Sequence, residues 1–288
     1  MPVFAQVAHE IDIFFSFSWR DWSASIIPGS IFAVGAMRGL TLPLTTLVAR
    51  YIFLVTWLTP YIYFFTLLNQ VTSVDEDMIN KPNRPIPSGK VTLQGAQRRS
   101  IAAFSVFLGV ALYEPSLLPE TLCWISTTAF LCLTSYGNHW FGKNCIAMAT
   151  GAWALLSASW KAISPSTPTS DTRIYAMCGW AALTTHIQDL RDVKGDAAVG
   201  RMTLPLVFGD MGSRFIITFL ALPAACCILS LGGIFQLSPI TLGSLHAILG
   251  HRVLRQAGSR YDHKTYMFYT YIFCFILMLS SMDSHGLI

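Results

Sequence analysis

Charge is the scarcest property of this 288-residue chain: Asp, Glu, Lys and Arg make up 12% of it, about half of the roughly 25% usual in soluble domains. With 53% hydrophobic residues and a mean hydropathy of +0.52, that shortage excludes a soluble globular domain and implies a multi-span membrane protein with the lipid bilayer as partner. The short alternating segments of a transmembrane β-barrel are missing too. The apolar runs are long and continuous, so the expected class is all-α. The first 22 residues lack a basic start followed by an apolar core and contain Glu10, Asp12 and Asp21, so no cleavable signal peptide is expected. The seven cysteines form no CxxC pair and lie mostly in apolar runs, where small apolar filler is the better reading than disulfide or metal ligand. Low-complexity tracts and a second domain are also lacking. The net charge of +4 is no nucleic-acid signature, because the basic residues fall in particular loops, and no nucleic-acid partner is expected.

Residues 1–22 mix Phe with acids and end in Trp19, Arg20, Asp21 and Trp22, which predicts an interfacial segment with an aromatic anchor. Residues 23–288 read as a single transmembrane domain. Apolar length and Gly, Pro and charge breaks predict nine spans, at 23–40, 47–74, 92–112, 118–137, 144–163, 173–190, 213–231, 234–250 and 265–283. Phe215 to Gly250 carries no charge at all, and Gly232, Gly233 and Pro239 suggest the turn that divides it. With a cytoplasmic amino terminus, all of the 19 basic residues except Arg38, Arg50, Lys161 and Arg173 fall on the cytoplasmic side. That bias supports the nine-span count.

The chemistry gathers at two span ends. A stretch of 24 residues free of charge, Tyr51 to Val74, runs into NQVTSVDEDMINKPNRPIPSG. Acids and Asn at the mouth of an apolar helix are costly in a membrane, and the default reading is functional. At about 100° per residue, Asn69, Ser73, Glu76 and Asp77 share one helix face and Asp75 points away. Oxygen ligands on one face suit Mg²⁺, which favours carboxylates together with phosphate and water. Pro82 and Pro85 force an irregular loop, whose Lys81 and Arg84 can reach a phosphate. The same residues would also make a solvated helix terminus. The second cluster, QDLRDVKGD, places Asp189, Asp192 and Asp196 on one face, turns Arg191 and Lys194 elsewhere, and frays at Gly195. Arg201 follows on the loop GRMTLP. Divalent cations bridging the two clusters to a diphosphate, and turning it into a leaving group, account for six acids better than solvation alone.

NQVTSVDEDMINKPNRPIPSG resembles the first motif of the UbiA superfamily of intramembrane prenyltransferases, NDxxDxxxD followed by NKPxRP. QDLRDVKGDAAVGRMTLP resembles its second motif, DxxDxxxD. The order and separation of the motifs and the nine spans agree as well, so the resemblance covers nearly the whole chain. It implies nine transmembrane helices in a bundle around a central cavity with a cytoplasmic cap, and Mg²⁺-dependent ionisation of an isoprenoid diphosphate by two or more ions. By position, Asn69, Asp77, Asp189, Asp192 and Asp196 would hold metal, with Asp77, Asp189 and Asp192 central to catalysis. Lys81, Arg84, Lys143 and Arg201 would hold the diphosphate, although a lone loop base such as Lys143 also reads as a topology signal. The chain departs from the pattern at Gln70 and Ser73, where Asp is usual; Glu76 lies on the right face to replace the missing ligand. NQxxSxxxD with an acid before the last Asp resembles the fungal branch that includes membrane-bound terpene cyclases. That implies cyclisation of farnesyl or geranylgeranyl diphosphate in secondary metabolism, in the endoplasmic reticulum, with the site opening to the cytoplasm.

A cyclase needs a water-poor aromatic wall for its cation. Trp57, Tyr61, Phe65, Tyr136, Trp153 and Trp180 are candidates, as are Phe64, Trp140 and Trp160; all are equally ordinary as lipid-facing or interfacial aromatics. His139, Asn138 and His186 read either as bases or acceptor contacts or as satisfied structural groups. A transferase would present an aromatic acceptor to the same cation. A transporter would place its polar residues at mid-membrane near broken helices, whereas these acids lie at span ends. Prenyl length, product and oligomeric state stay open.

Overall fold

The frame is set by one long helix that stops where its apolar residues give out. In the computed structural model, which describes residues 3–38 and 40–283, the chain opens with α1 (Val3–Ser18), a 3₁₀ turn over Trp19–Ala24, and α2 (Ile26–Met37). The long helix α3 (Leu44–Thr72) follows; at 1.5 Å per residue it is roughly 44 Å long. Ser73 leaves helical geometry (φ −121°, ψ 35°), and α4 (Val74–Asn80) restarts at once. Beyond the loop that carries Pro82 and Pro85, α5 (Leu93–Tyr113) is capped by the Thr92 hydroxyl, which accepts from Gly95 N. Then come α6 (Leu118–Leu133), a π-helical turn over Phe141–Ala147, α7 (Met148–Lys161) and α8 (Pro168–Thr184). Helix α8 starts on a reciprocal Thr167/Ser170 capping box with Pro168 in its first turn. A 3₁₀ turn over Thr185–Gln188 leads into α9 (Asp189–Ala198). The chain closes with α10 (Leu204–Phe208), α11 (Asp210–Ile216), α12 (Leu222–Leu231), α13 (Pro239–Leu254) and α14 (Ser259–Asp283).

Each of the nine stretches expected from hydropathy holds a helix, with shifted ends. Among the described residues, four helical stretches are long and apolar enough to cross a membrane: Leu44–Thr72, Pro115–Leu133, Asp210–Leu231 and Ser259–Met282. The other apolar stretches hold shorter or more polar helices, of which α2 has only 12 residues. The fourth stretch ends its α-helix early, at Leu133, and continues only as a 3₁₀ turn over Ser135–Asn138. The eighth runs from Pro239 to Leu254 rather than 234–250, because Pro239 is best accommodated in the first turn, where its missing N–H costs no hydrogen bond. The expected turn at Gly232 and Gly233 is present: Gly233 has φ +71°, and a Cβ on Gly232 would stand 2.4 Å from Ala176 Cβ on α8.

Around the core, α3 packs on α5, α6 and α2, α7 joins α6 to α8, α8 packs on α12, and α14 returns to pack on α2 and close the ring. Helix α1 lies across one end. Its Ile13 and Phe17 are buried while Phe4, Val7, Ile11 and Phe15 are exposed, the two-faced pattern of an interfacial helix. Glu10 pairs with Arg99 at 2.5 Å and Asp12 with Lys90 at 2.8 Å, tying α1 to the loop before α5 and to its first turns.

Candidate active site

At that end, α4 and α9 pack directly on each other. Asn80, the first residue of NKPNRP, clamps the two: its Nδ2 donates to Asp192 O at 3.1 Å, and its Oδ1 accepts from Gly195 N at 3.1 Å. A Cβ on Gly195 would lie 2.2 Å from Asn80 Nδ2. Gly195 therefore does not fray α9, which runs on to Ala198; it makes room for the clamp. Two further backbone bonds, Trp140 N to Met202 O and Met202 N to Asn138 O, both 2.8 Å, bind the loop after α9 to the turn after α6 and bring Arg201 to the site.

Every acid of the two motifs except Asp75 meets a cation. Arg84 Nη1 donates to both Asp77 oxygens at 2.8 and 2.7 Å. Lys143 donates to Asp189 at 2.7 Å, and Lys81 lies 3.7 Å from Asp192. Arg201 bridges Glu76 at 2.8 Å and Asp196 at 3.1 Å. Asp75 is exposed while Glu76 and Asp77 are buried. The helical phase survives the break at Ser73 because Ser73 N bonds Asn69 O and Asp77 N bonds Ser73 O. Arg191, expected to point elsewhere, folds its long side chain over the end of α9, donating to Asp192 at 3.2 Å and stacking on Tyr266 at 4.3 Å; Lys194 is exposed.

Electrostatics follow from this pairing. Burial alone would raise the Asp192 carboxyl, but Lys81 and Arg191 hold it below the usual aspartate value. Burial and the nearby Arg84 push the Lys81 ammonium below the usual lysine value. Lys143 is pushed above it: burial opposes its charge, and Asp189 and Asp196 outweigh burial. Asp77 keeps Arg84 firmly charged against burial. The five carboxylates, Glu76, Asp77, Asp189, Asp192 and Asp196, are matched by Lys81, Arg84, Lys143, Arg191 and Arg201. Because each acid is turned to a base, no three His, Cys, Asp or Glu side chains among the described residues converge on one point. Asp196 Oδ2, Arg84 Nε and Arg201 Nε are buried without partners, so the paired arrangement leaves capacity for another ligand at both signs.

The acids surround the mouth of a cavity of about 330 Å³. Asn69, Ser73, Glu76, Asp192, Gln188, Lys81, Arg84, Lys143 and Arg201 line it, while Asp77, Asp189 and Asp196 stand behind its wall. Asp21, from the turn after α1, also reaches the lining. Going down α3, Asn69, Phe65 and Tyr61 follow at four-residue steps, so the cavity runs roughly 12 Å from charged mouth to aromatic floor. Trp124, Tyr269 and Phe273 complete the floor.

Of the nine aromatic candidates for the wall, Tyr61 and Phe65 line the cavity; Phe64, Trp140 and Trp160 do not, nor do the remaining four. Trp57 lies one helical turn below the floor, stacked under Tyr61, with its N–H taken by Thr121 at 2.8 Å. Trp180 lies behind Tyr269 and Phe273 and donates to His246 Nε2 at 2.8 Å. Trp153, two residues beyond Gly151 of the lining, falls on the opposite side of α7. Tyr136 is on the irregular turn after α6 and is exposed, stacked on Phe130. His186 is buried as a structural group: Asn144 donates to its Nδ1 at 2.9 Å and to Asp189 Oδ2 at 2.5 Å. His139 Nδ1 accepts from Phe141 N, and Asn138 lines the cavity.

Sequence reasoning missed Trp124, Asn144, Gln188 and Asp21. Trp124 is a lone aromatic in an apolar span, and nothing in its neighbourhood distinguishes it from a lipid-facing one. Asn144, one residue after Lys143 at a span edge, was a polar signal that could have been taken up. The departure at Gln70 also finds its place here. Gln70 is turned away from the cavity and donates to Phe17 O at 3.2 Å, anchoring α1 instead of facing the mouth. Ser73 bonds back to Asn69 O through its hydroxyl.

Comparison with known proteins matches this architecture. A protein named Diterpene cyclase eriG, from Hericium erinaceus, is 77% identical over 287 residues, 100% of this chain and 93% of that protein. Somaliensene A/B synthase from Streptomyces somaliensis is 31% identical over 285 residues, 92% of this chain and 90% of that protein. The structure of a UbiA homologue from Archaeoglobus fulgidus bound to DMAPP and Mg²⁺ superposes with a TM-score of 0.70 at 12% identity, covering 96% of this chain and 99% of that one, and shows the same fold. The model of the UbiA prenyltransferase family matches residues 24–272. With its helical ring, its paired acidic motifs and these relatives, the chain belongs to the UbiA prenyltransferase family.

Proposed function

We propose that this protein is a Mg²⁺-dependent membrane terpene cyclase that ionises geranylgeranyl diphosphate and closes the allylic cation on its own distal double bonds. The observation that carries the choice of a cyclase and of a C20 chain is the 77% identity, over the whole chain, to a protein named as a diterpene cyclase. The cavity supports it: a charged mouth continues into a floor of aromatic rings.

The residues at the mouth fit a divalent ion delivered with a diphosphate. Their donors are hard oxygens, as Mg²⁺ requires, and Asp196 keeps a buried, unpartnered oxygen. The five motif acids are balanced by five bases, so a cation delivered together with the diphosphate adds less buried net charge than a diphosphate alone. Glu76, Asp192 and Asn69 on the wall, with Asp77, Asp189 and Asp196 behind it, would hold the metal. Bound there, Mg²⁺ supplies the charge that makes diphosphate a leaving group. Lys81, Arg84, Lys143 and Arg201 grip the diphosphate as the allylic C–O bond breaks, and the bonding electron pair leaves with it. The aromatic floor excludes water and faces the cation with ring quadrupoles. A distal double bond of the same chain attacks the cation, and transfer of a proton from the cyclised cation to the released diphosphate gives a hydrocarbon. Capture of water at that stage gives an alcohol. By the same reading nine helices cross the membrane of the endoplasmic reticulum, with both acidic motifs at its cytoplasmic face; the distribution of basic residues supports that orientation.

The test is product analysis with membranes containing the protein, Mg²⁺ and geranylgeranyl diphosphate, and no acceptor. The expected product is a cyclic C20 terpene plus free diphosphate. Linear alcohol alone, converted to a prenylated phenol once a phenolic acid is added, would establish a transferase instead.

A further inference from the structure

We propose that Trp124, seated by Gly151, fixes the shape of the cavity floor and so determines which cyclic product forms. The inference rests on the cyclase reading. Gly151 lies inside the continuous helical stretch made by the π-helical turn Phe141–Ala147 and α7 and is not among the glycines with positive φ. Glycine inside a helix is unfavourable relative to alanine, so its presence there calls for a steric reason. That reason is the Trp124 indole: a Cβ on Gly151 would lie 2.6 Å from Trp124 Cζ3 and 3.3 Å from Cε3. The space of the missing methyl is filled by the ring edge.

The indole is held from its other sides as well. It stacks on Tyr61 at 4.3 Å with 16° between the planes, and lies 5.2 Å from Phe65. Its Nε1 donates to Tyr61 O at 2.9 Å, and the Tyr61 hydroxyl donates to Gly151 O at 3.2 Å. Three helices, α3, α6 and α7, therefore lock one ring, and all polar tips of the lock are satisfied. Tyr269 and Phe273, backed by Trp180, complete the aromatic lining from α14. An apolar chain carries no polar handle in its cyclising part, so only the shape of this lining selects the conformer in which the cation meets a double bond. A cation within about 6 Å of a ring face is also stabilised there, which makes the position of Trp124 both a steric and an electrostatic guide. Close-packed interiors do not absorb an added methyl freely, so Gly151→Ala must displace the indole from its seat.

The experiment compares wild type, Gly151→Ala, Trp124→Phe and the double variant in membranes with Mg²⁺ and geranylgeranyl diphosphate, measuring both diphosphate release and the ratio of the main cyclic product to all other C20 products. Gly151→Ala is expected to lower that ratio roughly tenfold, by more than it lowers diphosphate release, as one methylene in a fitted pocket does. Trp124→Phe removes the edge that meets the new methyl, so the double variant should recover part of the ratio lost in Gly151→Ala. A Gly151→Ala product profile equal to wild type, or single-variant effects that simply add, overturns the proposal. Should Gly151→Ala fail to accumulate as folded protein, Trp124→Phe and Trp124→Leu decide it: slower release with unchanged product proportions overturns it, and altered proportions sustain it. Absence of any cyclic product from wild type strikes the cyclase reading itself, a result separate from these.

Discussion

The mouth and the floor of this cavity are held together by different forces. At the mouth, five carboxylates are neutralised by five bases at 2.7–3.7 Å, and buried side-chain atoms are left without partners. At the floor, Trp124 packs on Tyr61 and Phe65 with ring centroids 4.3 and 5.2 Å apart, and the Trp124 indole N–H and the Tyr61 hydroxyl donate to backbone carbonyls. Ion pairs can exchange one partner for another of the same sign at little net cost, whereas close-packed rings cannot shift without a void or a clash. The mouth is therefore built to be rearranged by its load, and the floor to impose its shape. Changes at the mouth should move the rate of diphosphate release with little effect on product proportions, and changes at the floor should do the reverse.

The largest effect is expected from Asp189→Ala and Asp192→Ala. Each removes a carboxylate whose cation partner, Lys143 or Lys81, is then left buried. Diphosphate release should fall at least about 10²–10³-fold, the size seen on losing a transition-state electrostatic contact, with whatever product remains unchanged in proportion. Near-wild-type release at matched expression would remove these acids from the chemistry. A sharper cut comes inside the run Asp75-Glu76-Asp77. Glu76→Gln and Asp77→Asn should be far more damaging than Asp75→Asn, which concerns an exposed side chain and should cost less than about 10-fold, the low end for a group outside the ligand set. Turnover of the three single variants at saturating Mg²⁺ measures this, and a dead Asp75→Asn beside a healthy Glu76→Gln would reverse the roles. The smallest effect should come from Asn80→Ala, which unties α4 from α9 without touching an acid. Losing its two bonds to Asp192 O and Gly195 N should cost roughly 1–3 kcal/mol, read as a lowered melting temperature in detergent. Diphosphate release should fall with a raised metal requirement, and product proportions should stay as in wild type.

Much of the mouth was legible because its information is local. Asn69, Glu76 and Asp77 fall on one helix face by periodicity alone, and the structure keeps that phase through the break at Ser73. Lys81, Arg84 and Arg201 sit in short loops directly after their acids, where chain connectivity leaves them few other places to go. Arg191 was misjudged because a long side chain at a helix end is not confined to its own face. Gly195 was misjudged because what it accommodates, Asn80, lies 115 residues away in the chain. The floor was mostly illegible. Trp57 and Tyr61 are one turn apart on the same face of α3, yet only Tyr61 lines the cavity, since depth along a helix is decided by where the neighbouring helices close.

By itself the sequence determined that the chain is helical and membrane-embedded, where its apolar stretches lie to within a few residues, and that two oxygen-rich motifs end two of them. Those properties follow from composition, from 3.6-residue periodicity and from Pro, Gly and capping residues, all of which act over a few positions. Only the tertiary structure decided which base faces which acid, that Gln70 secures α1 and does not face the cavity, and that Gly151, Tyr61 and Trp124 from three helices close on one another. The bonds of Gln70 to Phe17, Trp124 to Tyr61 and Tyr61 to Gly151 join residues 53, 63 and 90 positions apart. Such meetings are set by how whole helix surfaces fit together, and no local pattern in the sequence encodes them.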